Sequence, residues 1–312
     1  MKRDKCQVTS DRRTVAAYTS YAGHASRATH HAPAFSLIEL LVVISILGLL
    51  AGIAVPALKD LGKSNIQISA ARQMLDDVGR ARQLAMSQNT TVYMVFVSTN
   101  FWLVNNTYPN AWFNNLTAKQ LFAFTNLLDK QLIGYRFISK GQLGDQPGQH
   151  VWHYLDDKWQ ALPEGSYINT YKFLPASSPL LPLQIQDLNN NSTYKIYNFP
   201  AQLFPFPTEE AGVVPPSPPI TSDLALPYIA FNHLGQLSLD GLTLAPRDEY
   251  IPLVQGVVGY ATDPATKSPL PTVVKPADIL ERPPGNSTGI GYNIIHIDRL
   301  TGRATLEHFK IQ

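Results

Sequence analysis

The stretch from Leu40 to Leu58, LLVVISILGLLAGIAVPAL, holds 19 residues without a charge. As a helix it extends about 28 Å, close to the roughly 30 Å hydrocarbon core of a bilayer. Lys59 and Asp60 close it. Six basic and two acidic residues stand in positions 1–34, a net charge of +4, against −2 for the rest of the chain. By the positive-inside rule the basic leader stays in the cytoplasm and the rest is exported. Beyond residue 34 no basic cluster suggests nucleic-acid binding.

Composition adds two constraints. Charged residues are 15% of the chain, against about 25% in ordinary globular domains, and Pro is 24 of 312. Both favour extended, loop-rich structure over a helical bundle. The single cysteine, Cys6, lies in the leader, so neither an intramolecular disulfide nor a cysteine metal site can form.

Three kinds of segment share such an apolar run. A cleaved secretory signal would use Gly52-Ile53-Ala54 as its small-x-small site, but its apolar region is usually shorter. A plain signal anchor needs apolar length alone. Neither accounts for Glu39, a carboxylate at the mouth of the run, where membrane burial is costly without a partner.

The surrounding residues, Ala34-Phe35-Ser36-Leu37-Ile38-Glu39-Leu40-Leu41-Val42, closely resemble the class III signal of type IV prepilins and type II secretion pseudopilins. That resemblance implies cleavage by a prepilin peptidase between Ala34 and Phe35, then N-methylation of the new Phe35 amine. The family's glutamate, four residues on, is Glu39, and its proline, seventeen after that, is Pro56. Ala34 stands where Gly is commoner, and His30 and His31 stand where Lys or Arg are commoner. Cleavage would leave a cation in apolar surroundings, which Glu39 of a neighbouring subunit can neutralise. In low dielectric that pairing tolerates little misplacement, so it sets register. Gly48 and Gly52 form a G-x-x-x-G pair that permits close helix approach. Pro56 removes one helical hydrogen bond and can kink the helix.

After the run, Ala71, Met74, Leu75, Val78, Ala81, Leu84 and Ala85 recur at helical spacing and predict an amphipathic helix over 59–89. At Thr91 the period changes to two, and Thr91–Val97 reads as a strand. The run Ala81-Arg82-Gln83-Leu84-Ala85, then Asn89 and Val92, resembles the H-type, FimT-like minor pseudopilins. The hairpin patterns at Tyr228–Leu237 and Asn293–Ala304 and the segment Trp159–Gly165 look similar to parts of the same heads. Residues 100–225 read as a long insertion, with a short helix inside Leu116–Leu132 (Thr117 its cap) and a strand at Tyr135–Ile138. Residues 205–219 and 261–289 read as Pro-rich loops.

The expected fold is therefore α+β. A leader (1–34) precedes a transmembrane helix (35–58), an amphipathic helix (59–89) and an antiparallel β head (90–312). Chemistry is sparse. His150, His153, Asp156 and Asp157 lie in one stretch, HVWHYLDD, but i and i+3 side chains on a strand point to opposite faces, so no metal site is expected. The N-x-S/T triplets at Asn115 and Asn286 are expected by chance. No nucleophile-elbow, phosphate-loop or dinucleotide motif occurs, and no cofactor is expected.

The resemblance implies a structural role, as a minor pseudopilin of a type II secretion-like filament. Its partners would be other pilin or pseudopilin subunits, the prepilin peptidase, an inner-membrane assembly platform and lipid, without nucleic acid. The chain would cross the bacterial inner membrane once, its N-terminus cytoplasmic and its head periplasmic. Alternatives are a surface pilin for adhesion or DNA uptake, or a signal-anchored periplasmic binding protein or enzyme.

Overall fold

A computed structural model describes residues 36–99, 118–141, 152–187, 192–205, 224–266, 277–287 and 293–308. The chain divides between Val55 and Pro56 into two compact units. The first unit runs from Met1 to Val55, and its described part is Ser36 and the beginning of helix α1 (Leu37–Gln88). Its apolar side chains, from Leu37 at 82% exposure to Leu50 at 56%, touch little of the chain. Among the described residues no helix offers a stretch long and apolar enough to cross a membrane. The side chains of 53–65 lie outside the described residues, so the run Leu40–Leu58 is covered only in part.

The second unit is an α+β head with antiparallel sheets. Its stretch of α1 turns one stripe inward: Ala70, Ala71, Met74, Val78, Ala81 and Ala85 are fully buried. Alanines dominate the stripe, and their small side chains let the helix lie close to the sheets. The helix stops at Gln88 because Asn89 takes a left-handed conformation, φ 51°. Thr90 N–H then bonds back to the Ala85 carbonyl at 3.2 Å, a Schellman closure. Asn tolerates this backbone better than most residues, which gives a local reason for Asn at this position.

Strand β1 (Thr91–Phe96) follows at once and lies inside a seven-stranded sheet. Its neighbours are β2 (Gly134–Lys140) and β9 (Leu224–Phe231). Outside them lie β3 (Trp152–Tyr154) and β4 (Gln160–Ala161) on β2, with β8 (Ala201–Phe204) and β10 (Leu237–Ser238) on β9. A strand's side chains alternate between faces, and β1 uses both. Val92, Met94 and Phe96 join the α1 stripe in one core. Tyr93, Val95 and Val97 face a second core, closed by Phe124, Leu127 and Leu128 of helix α2 (Ala118–Leu128). Strand β1 is therefore apolar on both sides because a helix covers each.

The second sheet has five strands, in the order β12 (Asp278–Glu281), β11 (Glu249–Gly259), β13 (Asn293–Ile297), β14 (Ala304–His308), with β5 (Ser166–Ile168) also on β11. Ile251, Leu253, Ile295 and Ile297 bring it into the core of the α1 stripe. Strands β6 (Leu183–Asp187) and β7 (Ser192–Ile196) form a separate ribbon.

Two expectations need correcting. The segment 100–225 holds more than the expected helix and strand: beside α2 and β2, which match those expectations, its described part supplies β3–β8, and β2 pairs with β1 from Tyr135 to Lys140. Nor is 261–289 all loop, since β12 edges the second sheet there. Both strands gain their pairing from partners distant in sequence, which local composition does not reveal. Thr117 and most of the Pro-rich stretch 205–219 lie outside the described residues.

Candidate assembly site

Ala34 and Phe35 lie outside the described residues; Ser36 is the first within them. Ser36 caps α1. Its side-chain oxygen accepts from Glu39 N–H at 3.2 Å, and its carbonyl accepts from Glu39 and Leu40 N–H at 3.0 and 3.2 Å. These bonds occupy amides that a helix start otherwise leaves open. The signal was legible as S-x-x-E, the capping-box pattern of Ser36-Leu37-Ile38-Glu39. Glu39 sits in the first turn, where the helix dipole favours a negative charge.

Gly48 and Gly52 stand one turn apart on α1, and a Cβ placed on either would meet nothing within 4 Å. Among the described residues nothing crowds them, which leaves both open to close approach. Ser45 returns its hydroxyl to the Leu41 carbonyl at 2.8 Å and so hides a polar group within the apolar stretch. Pro56 falls within the α1 range, its side chain outside the described residues.

In the head unit, two polar networks tie α1 to the first sheet, and sequence reasoning had no means of pairing their members. Gln73 donates to the Tyr135 hydroxyl at 2.7 Å and to the Ala161 carbonyl at 2.9 Å. The Tyr135 hydroxyl in turn donates to Asp77. Burial pushes the Asp77 carboxyl above its usual range, while the Tyr135 hydrogen bond opposes that shift. Burial, followed by Asp77, pushes the Tyr135 phenol up. Beside this network a groove of about 620 Å³ is lined by Ile68, Ser69, Arg72, Gln73, Asp76 and Asp77.

The second network absorbs part of the HVWHYLDD stretch. Arg80 of α1 reaches Asp156 at 2.6 Å, and Arg136 of β2 donates to the Asp156 backbone carbonyl. Asp157 is exposed, His153 is held on β3, and His150 lies outside the described residues. Among the described residues no group of three or more His, Cys, Asp or Glu side chains could hold a metal ion. Asn286 is 2% exposed and donates to the Gln255 carbonyl at 3.1 Å, so it braces a loop. Asn115 lies outside the described residues.

One further charge is buried for packing. The Lys172 ammonium, fully enclosed, donates to the Tyr197 carbonyl at 2.6 Å and to Glu249. It also sits 4.3 Å over the Phe199 ring. Burial pushes its pKa down against the pull of Glu249.

A family model described as the prokaryotic N-terminal methylation motif matches residues 31–55. Neither the curated proteins nor the solved structures gave a match. The match spans Phe35, Ser36, Glu39, Gly48 and Gly52 and stops one residue short of Pro56. At residues 31–55 the chain carries the N-terminal methylation motif, the class III signal of type IV pilins and pseudopilins.

Proposed function

We propose that this chain is a filament subunit of the pilin-like class, made as a membrane-anchored precursor, cleaved between Ala34 and Phe35 and methylated at the new terminus. The methylation motif at residues 31–55 carries this reading. The exposed apolar side chains from Leu37 to Leu50 support it, since they call for lipid or for other subunits. In the filament, Glu39 pairs with the Phe35 amine of a neighbour, Gly48 and Gly52 admit a close helix, and Pro56 loosens α1 where the anchor gives way to the head. We place the subunit among minor pseudopilins of a type II secretion-like filament at the bacterial inner membrane. The run from Ala81 to Val92, with the Asn89 stop, and the hairpins β9–β10 and β13–β14 support that narrower reading.

Intact mass and N-terminal sequencing of the protein from native membranes test the proposal. The expected mature chain starts at Phe35 and carries one methyl group. A chain starting at Val55, after Gly52-Ile53-Ala54, would overturn it.

A further inference from the structure

We propose that His296 is a proton-operated clasp on the edge strand β14, holding it to the lead-in of β11 when both ring nitrogens are protonated and loosening it when one proton leaves. His296 lies on β13, between the two strands it would join. Its Nε2 is 3.0 Å from Asp248 Oδ2, just ahead of β11, and its Nδ1 is 2.9 Å from Glu307 Oε1 on β14. An ionised carboxylate only accepts hydrogen bonds, so each ring nitrogen must donate. Only the imidazolium carries two N–H groups. A neutral ring presents a lone pair to one of the carboxylates, and that contact turns repulsive.

The surroundings keep the ring in place and decide which end gives way. Tyr250 stacks on the ring at 4.7 Å and 13°. Its phenol is pushed up to about 12 by burial, then by Glu307 and Asp248, and stays neutral across the working range. Asp298, in the following turn, is held low by the Thr301 hydroxyl and N–H and keeps its charge. Glu249 is engaged by Lys172, and the Arg299 guanidinium lies on the Pro246 carbonyl at 2.9 Å. Asp248 has a second partner, the Arg299 N–H at 3.0 Å. Glu307 has no such alternative, because its Oε2 is buried with no hydrogen-bond partner among the described residues. The Glu307 side therefore opens first. Among the described residues strand β14 pairs only with β13, so its release costs one edge ladder rather than the sheet. The two carboxylates face opposite ring nitrogens, so no single ion could bridge all three groups.

The test uses the full chain in detergent with ring-labelled histidine, the His296 signal assigned by its loss in His296→Asn. Ring-nitrogen spectra and hydrogen exchange are recorded from about pH 5 to about pH 8. Where one ring proton leaves, hydrogen-exchange protection of 304–308, corrected for intrinsic rates, falls about tenfold. In Glu307→Gln the side-chain amide can donate to the ring's lone pair, so that fall should disappear while the chain stays folded. A ring holding a single proton throughout that range would overturn the clasp. So would a loss of protection equal in the native chain and in Glu307→Gln.

Discussion

Helix α1 poses the same packing problem twice and receives two answers. From Leu40 to Leu50 its surface is apolar all round but for Ser45, and these apolar side chains stay exposed. From Ala70 to Ala85 one stripe is apolar, and the stripe is fully buried against the sheets. A helix with an apolar stripe finds its partner within the chain, whereas one that is apolar all round needs an apolar environment on every side. The difference separates a region whose energetics belong to folding from one whose energetics, on the proposed function, belong to membrane and assembly. Substitutions in the two regions should therefore be read by different assays.

The largest contrast is between Met74→Ala and Leu47→Ala. Met74 is fully buried in the shared core, and truncating it should cost about 2–5 kcal/mol of head stability. Leu47 is 58% exposed, and its truncation should leave the head's denaturant midpoint unmoved. A matched loss in both would erase the division.

Gly302 offers a backbone version on the head side. Its φ is +62°, and an added Cβ would stand 2.0 Å from the Gly235 carbonyl oxygen. Gly302→Ala should cost at least about 1–3 kcal/mol and separate the two turns. At Gly48 the same change meets nothing within 4 Å among the described residues, so on the proposed function its effect should appear only in filament assembly.

Tyr135→Phe removes the hydroxyl between Gln73 and Asp77 and should destabilise the head by about 1–3 kcal/mol in chemical denaturation. Asp77→Asn is the smallest and has a distinctive sign. Because burial raises the folded-state pKa of Asp77, its ionised form opposes folding at neutral pH, and stability increases as pH falls through that raised value towards 3.8. Asp77→Asn should therefore be slightly favourable near neutral pH, and its advantage should vanish in acid. An advantage that grew in acid would contradict the burial assignment.

These sites also show how far the sequence could be read. Met74, Val78 and Ala81 announced their burial through helical spacing, because one local element sets which face points inward. The hairpin of β13 and β14 was legible for the same reason, its strands joined by a short turn. Tyr135 was placed on a strand, but its bond to Asp77 spans 58 positions and carries no local signature. The pairing of β2 with β1, and the reach of Arg80 to Asp156, were hidden likewise. At the N-terminus the methylation motif was legible as a pattern, and Ser36 as the helix cap could have been read from the four letters Ser36 to Glu39.

The central claim is that the first half of α1 finds its partners in other subunits through Glu39. Its most direct test places a thiol-attached photo-cross-linker at Ile46→Cys, in a Cys6→Ser background where no other cysteine remains. Glu39 is then compared with Glu39→Gln in native membranes. Losing one member of a buried pair should cost roughly 3–5 kcal/mol. With Glu39 intact, adducts to neighbouring subunits are expected. With Glu39→Gln the chain should still insert and still be cleaved, and the adducts should be lost. Equal adducts in both would contradict the pairing and leave Glu39 as nothing more than a favourable charge at a helix start.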